Sequence, residues 1–383
     1  MMSRQRSPLL EVIGSFGLLG ITAFGGPTAH LGYFREEFVA RRSWLSEQAY
    51  AELVALGQFL PGPASSQVGM ALGYHRAGWA GMFAAWFMFT LPSAVALGAF
   101  GIFLAQGGAE QGWITGLLAA AVAVVFHAVS GMARAMASTP VAATIAVVAG
   151  LIVVAVPGSL TQLAVIAGAG LIGLLVMREE STPGVTRGDL RPVSFRAASL
   201  ALGLFTALLV AAAAVGGRAA AYFQAGSLVF GGGHVVLPLL ERLTVASGWV
   251  DQAEFLAGYS AAQAVPGPLF TFASYLGAVD AGIPGAILAT VAIFAPAALL
   301  MVGGMHFWGR WRHLAGVRKA FTAINAAVVG LLAAALWDPV ITHGITGTAS
   351  LAIAVTCWLA LALWKLPPWA VAAGAAAAGA FLL

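Results

Sequence analysis

The residues with the clearest chemical potential come as a set of short words that occurs twice. Phe24-Gly-Gly-Pro27, Trp44, Gln58 and Pro61-Gly-Pro63 return as Phe230-Gly-Gly-Gly233, Trp249, Gln263 and Pro266-Gly-Pro268. Proline deletes a backbone donor and glycine allows turns that a helix cannot make, so Pro27, Pro61, Pro63, Pro266 and Pro268 mark helix breaks. At membrane depth each orphaned N–H costs several kcal/mol unless protein, water or ligand satisfies it. The helix N-termini so exposed carry partial positive charge and free amides, which suit an anion.

The polar residues beside these breaks are hydrogen-bond donors rather than a metal set. They are Thr28, His30, Gln58, Ser65, Ser66 and Gln67 in the first copy, and His234, Gln263 and Thr271 in the second. A tight metal site needs clustered carboxylates, His or Cys, so no metal is expected. Candidate oxyanion contacts are the amides of Gly25, Gly26, Gly62, Gly231, Gly232 and Gly267, with Thr28, His30, Gln58, Ser66, His234, Gln263 and Thr271 shaping the site. For Gln58 and Gln263 a second role is open, that of satisfying backbone freed by the following Pro-Gly-Pro. Arg35, Glu36 and Glu37 follow His30, and Glu241 and Arg242 follow His234. Arg35 and Arg242 either attract the anion or pair with the neighbouring Glu, while His30, Glu37 and Glu241 are candidates for taking up and releasing protons in step with anion binding.

The elements that position these words belong to a membrane. Hydrophobic residues make up 60% of the chain, charged residues 8%, and the mean hydropathy is +0.92. Apolar runs of about 17 to 25 residues cross a bilayer as helices. The runs fall near 9–22, 51–74, 78–104, 113–132, 141–156 and 162–177, then 219–229, 254–278, 285–307, 320–336, 350–364 and 369–383. Gly69 and Gly73, or Gly112 and Gly116, have the spacing that lets helices pack backbone to backbone.

Between the copies lies one hydrophilic stretch, 178–196, and one further apolar run, 197–215. Domains are therefore expected at 1–177, a cytoplasmic linker at 178–196, a connecting transmembrane helix at 197–215, and a second repeat at 216–383. Six elements plus one crossing would turn the second repeat upside down. The expected fold is an all-α polytopic membrane protein of about 10 to 13 membrane elements, with two homologous halves in inverted orientation and broken or re-entrant helices. Arg4, Arg6, Arg76, Arg134 and the linker arginines fall inside on this count, as the positive-inside rule demands, whereas Arg35, Arg41 and Arg42 do not.

Other classes find no support. The net charge of +4 is spread over loops, so it sets topology rather than binding nucleic acid. Cys357 stands alone, which excludes an intrachain disulfide and a thiolate cluster. Only two lysines occur, Lys319 and Lys365, and neither lies in a phosphate loop. No motif of metalloprotease, haem-attachment or serine-hydrolase type occurs, so no enzyme and no cofactor are expected.

Phe24-Gly-Gly-Pro27 with His30, Trp44-Leu45, Gln58, Pro61-Gly-Pro63, Pro238-Leu-Leu-Glu241-Arg242 and Gln263-x-x-Pro266-Gly-Pro268 together resemble the chromate ion transporter (CHR) family in its long, two-domain form. The resemblance implies a prokaryotic inner-membrane protein that exports chromate and confers resistance, with sulfate as the related oxyanion. It places the functional positions at the glycine-rich breaks, His30, the Pro-Gly-Pro turns and the charges at 35–37 and 241–242. It implies a small oxyanion and membrane lipid as partners and admits a homodimer. Gly233 stands where the first copy has Pro27, and His234 aligns with Thr28, so the two histidines need not share a role. A transporter of sulfate or a small organic anion fits the residues equally well; an anion channel or membrane scaffold fits less well.

Overall fold

A computed structural model describes residues 7–23, 26–108, 112–156, 159–177, 190–229, 236–311 and 314–383, and among these no strand occurs. Helix α1 (Pro8–Thr22) begins where Ser7 accepts from the Leu10 amide and proline occupies the first turn. Helix α2 (Gly26–Phe34) runs into a π-helical segment, Arg35–Arg41. Helix α3 (Glu47–Phe59) is capped by Ser46 and ends at the first Pro-Gly-Pro turn, from which α4 (Ala64–Phe103) departs.

The 40 residues of α4 form two arms, because Ala77 (φ −135°) and Gly78 (φ +66°) leave helical geometry. The arms close against each other at Gly73 and Gly81, where a Cβ on either residue would overlap the other's carbonyl oxygen. Only glycine allows that approach. Helices α5 (Gly112–Met136), α6 (Pro140–Ala155), α7 (Ser159–Val176) and α8 (Phe195–Val215) follow.

The second half rebuilds the first with the same devices. Helices α9 (Arg218–Leu228), α10 (Val236–Thr244) and α11 (Gln252–Ala264) lead through the second Pro-Gly-Pro and a short 3₁₀ turn, Leu269–Thr271, into α12 (Phe272–Trp311). Ala281 and Gly282 (φ +61°) break α12 as Ala77 and Gly78 break α4, and Gly277 closes on Gly285. Helices α13 (Ala315–Ala335), α14 (Thr342–Gly344, a single turn), α15 (Thr348–Ala362) and α16 (Pro368–Leu382) complete the chain.

The long arms form the centre. Trp86 meets Phe294 with ring centroids 6.0 Å apart, and Gly98 sits beside Ala286, so the second arms of α4 and α12 run antiparallel. Their outer sides carry α1 and α9 in matching fashion: Gly20 lies on the Met88 carbonyl and Gly226 on the Ile293 carbonyl, each too close for a Cβ. The expected small-residue contact at Gly112 and Gly116 is present, against Gly379 and Ala375 of α16, whereas Gly69 lies under Phe16 and Gly73 packs within α4 itself. Cys357 is buried in packing.

Among the described residues, five helical stretches are long and apolar enough to cross a membrane: Ala64–Gln106, Gly112–Arg134, Phe195–Val215, Leu269–Trp308 and Arg318–Gly344. Their outward faces are apolar, with Phe83, Val95, Ile283 and Ile287 each more than 60% exposed. A continuous apolar exterior of this kind requires lipid as solvent. A lateral groove of about 510 Å³ between α4 and α12, walled by Phe87, Leu91, Ile283 and Ile287, belongs to this face and not to the chemistry below. Two expected spans are corrected: 51–74 and 254–278 are each interrupted at the Pro-Gly-Pro turn, because hydropathy averages over a break that proline and glycine impose.

Candidate functional site

The two Pro-Gly-Pro turns cross into each other's half. The Gly62 amide (φ +113°) donates to the Val229 carbonyl over 2.7 Å, and the Gly267 amide (φ +98°) donates to the Ala23 carbonyl over 2.9 Å. Val229 ends α9 as Ala23 ends α1, so the two bonds are one contact made twice by repeat-related atoms. Neither glycine has room for a side chain: a Cβ on Gly62 would lie 3.3 Å from the Gly226 carbonyl oxygen, and one on Gly267 2.8 Å from Ser93 Oγ.

His30 joins this seam. Its side chain is fully buried, with Nε2 3.2 Å from the Ala23 carbonyl oxygen and Nδ1 3.3 Å from Ser65 Oγ. A carbonyl only accepts, so Nε2 carries a proton and donates to Ala23, while Nδ1 faces the Ser65 hydroxyl. The imidazole is held edge-on by Phe89 at 5.2 Å between ring centroids. The Ala23 carbonyl thus receives both His30 of the first half and Gly267 of the second. At the position related to His30 the second half has Val236, fully buried, so His30 has no histidine counterpart at the same position.

The N-terminus of α4 opens at this place with no side-chain cap. Ser65, Ser66 and Gln67 are all buried there. Gln67 Nε2 donates to the Pro61 carbonyl over 2.8 Å, while Gln67 Oε1 and Ser66 Oγ have no hydrogen-bond partner among the described residues. Gly26, at φ +74°, opens α2, and among the described residues nothing lies within 4 Å of a Cβ built there. Two helix N-termini with spare hydrogen-bonding capacity and no fixed ionic lock can hold a small oxyanion reversibly.

Not every expected residue reaches the seam. Arg35 is exposed and held bidentately by Glu47 at 2.9 and 2.7 Å, rather than by its neighbour Glu36 or Glu37. Glu37 accepts from Arg41 and Arg42; burial alone would raise its pKa, but the two guanidinium groups hold it below the ordinary carboxylate value. Gln58 is exposed, and the freed backbone of the first turn is served by Gln67, which follows the break and faces back onto it. Gln263 instead hydrogen-bonds Tyr259. Thr271 turns onto the Pro268 carbonyl at 2.7 Å and closes its own turn.

In α10, burial raises the Glu241 carboxyl, with Asp338 adding to the shift and Arg242 and His343 opposing it. Arg242 is half-buried and makes no ion pair among the described residues; burial lowers its pKa against the pull of Glu241. Gly25, Gly231, Gly232 and His234 lie outside the described residues, as does the side chain of Thr28.

The fold and seam define an all-helical, multi-pass membrane protein with an internal repeat. Its family is established by comparison: the sequence model "Chromate transporter" matches residues 10–174 and again 218–380, so the chain belongs to the chromate transporter family. It is 30% identical to a probable chromate transport protein of Synechococcus elongatus over 86% of this chain and 84% of that one. It is 28% identical to the chromate transport protein of Pseudomonas aeruginosa (86% and 80% covered) and 26% identical to that of Cupriavidus metallidurans (97% and 92% covered). No solved structure matches the chain. The family is one of transporters and implies an oxyanion substrate.

Proposed function

We propose that this chain is a secondary transporter of the prokaryotic cytoplasmic membrane that exports chromate by alternating access and so confers chromate resistance. Residues 1–177 and 216–383 act as repeats of opposite orientation, joined by the linker 178–196 and the crossing helix 197–215. The reciprocal pair Gly62–Val229 and Gly267–Ala23 carries this reading. Related atoms exchange bonds across a twofold relation, and the central arms of α4 and α12 run antiparallel. With those arms crossing the bilayer, that twofold lies in the membrane plane, the arrangement in which two halves rock about a shared site.

The seam supplies a way to couple binding to motion. In this conformation the Gly62 and Gly267 amides are spent on carbonyls of the opposite half. An oxyanion reaching either amide competes with such a carbonyl, so binding weakens a contact that holds the halves together. Ser66, whose hydroxyl is unpartnered, and the open N-terminus of α2 at Gly26 would receive the oxygens. Charge gives the direction: an inside-negative potential of roughly 100 mV favours moving a dianion outward by about 4.6 kcal/mol, twice the value for one charge. Proton coupling or anion exchange would act through Glu37, Glu241 or a His30 released from Ala23.

The test is driven transport. In inside-out vesicles holding this protein, a lumen-positive potassium diffusion potential should drive saturable chromate accumulation, and the reverse potential should abolish it. Chromate movement that neither saturates nor exchanges for an anion on the other side, or unitary currents in planar bilayers, would remove secondary transport in favour of a passive path.

A further inference from the structure

Each half ties its first helix to the turn of its broken long helix by one arginine–carboxylate pair under a tryptophan, and the two pairs have opposite polarity. In the first half, Arg76 at the α4 turn donates to Glu11 of α1 at 3.0 and 2.6 Å, and its guanidinium lies 5.5 Å from the Trp44 ring centre. In the second, Arg218 of α9 donates through Nε and Nη2 to Asp280 at the α12 turn, and its guanidinium lies 5.3 Å from the Trp249 ring centre. Trp44 and Trp249 are repeat-related, as are the turns Ala77-Gly78 and Ala281-Gly282. The turn residue is the base in one half and the acid in the other. What the halves share at this place is the ion pair itself, which neither residue type nor simple shape explains.

The pairs occupy opposite ends of the molecule's centre, because the arms that leave the two turns run antiparallel. Each clamps three elements: the helix that ends at the seam, the hairpin turn, and the tryptophan segment before α3 or α11. In the first half His75 adds to the clamp, with Nε2 2.9 Å from the Trp44 carbonyl oxygen and Nδ1 receiving the Arg191 amide at 3.3 Å. Each guanidinium donates twice, Arg76 to the single oxygen Oε2 of Glu11 and Arg218 to both carboxylate oxygens of Asp280, and charge-assisted pairs set over an aromatic in this way are directional. Helices α1 and α9 end at Ala23 and Val229, the two carbonyls that the seam glycines hold. Releasing a pair therefore frees the helix that carries one seam carbonyl.

We propose that Glu11–Arg76 and Arg218–Asp280 are the two gate latches, one for each face, and that opening the site toward a face requires release of the pair on that face while the other stays closed. The inference rests on the alternating-access reading above. It is tested without chromate, so the two fail separately. In a Cys357→Ser background with Ser66→Cys as reporter, a membrane-impermeant maleimide is applied to right-side-out and to inside-out vesicles. Arg76→Gln should raise labelling several-fold from one face and lower it from the other, and Asp280→Asn should do the opposite. The exchanged pairs Glu11→Arg with Arg76→Glu, and Arg218→Asp with Asp280→Arg, should restore the parent pattern. Labelling that shifts in the same direction for both single variants, or does not shift in properly inserted protein, overturns the latches. A single variant that fails to insert while its exchanged pair inserts and labels like the parent shows the pair to be only a folding staple, which also overturns them.

Discussion

At the scale of single residues, the seam is a question of which atoms can stand where. Gly26 and Gly267 both have positive φ, yet they differ in what surrounds them: among the described residues nothing within 4 Å of a Cβ at Gly26, but Ser93 Oγ and the Phe89 carbonyl at Gly267. Gly26→Val should therefore insert and fold but lose transport, since the strain of about 1–2 kcal/mol falls on the backbone that opens α2. Gly267→Val should instead lower the folded yield in detergent, measured by fluorescence-detected size exclusion; equal yields for the two variants would contradict the placement. Glu37 yields a pH prediction. Its carboxyl is held below its ordinary value, so the stability given by Arg41 and Arg42 is present above the ordinary carboxylate range and lost as pH falls through the lowered one. The melting temperature of Glu37→Gln should lie below that of the parent at neutral pH and converge with it in acid. A gap that persists in acid would mean that the two arginines are not what Glu37 supports. The sequence places glycines, prolines and His30 at the seam, because backbone-breaking residues declare themselves in any context. It does not distinguish Gln67 from Gln58: both flank the turn, and only the direction in which α4 leaves Pro63 decides which amide faces Pro61.

At the scale of elements, the hairpins of α4 and α12 hold the site in place. Their arms meet at Gly73–Gly81 and Gly277–Gly285 with no room for a Cβ. Gly81→Leu and Gly285→Leu should both shift the protein into aggregates or degraded fragments, while Gly14→Leu on α1, where nothing lies within 4 Å, should leave its size-exclusion profile unchanged. A monodisperse Gly81→Leu protein would show that the arms do not need to close. These hairpins are partly legible in the sequence, where Gly-x3-Ala-Gly-x2-Gly stands twice after Pro-Gly-Pro, at spacings that differ by one residue. The period of hydropathy hides them, since each turn lies between two apolar arms and averages into one long span. Arg76 and Asp280, read singly, look like ordinary loop charges, and their roles emerge only when the turn is brought to the start of α1 or α9.

At the scale of the whole molecule, the repeat, the antiparallel central arms and the apolar exterior make one system: two copies of a breakable unit, back to back, in lipid. The repeat was readable from residue spacing, and the chromate transporter match to 10–174 and 218–380 bears out the family resemblance. Orientation was not readable from charge alone, because Arg35, Arg41 and Arg42 oppose the count and are spent on Glu47 and Glu37. If the halves are inverted, single cysteines at Ala77 and Ala281, in the Cys357→Ser background, should label with an impermeant thiol reagent from opposite faces; labelling from one face would contradict inversion. The central claim, an oxyanion carried outward through the glycine seam, is tested most directly by chromate accumulation in energised inside-out vesicles, with excess sulfate as competitor and Gly26→Val as control. Saturable accumulation that sulfate suppresses and the control lacks is the predicted result. Undiminished accumulation by a fully inserted Gly26→Val protein, or none by the parent, would contradict it.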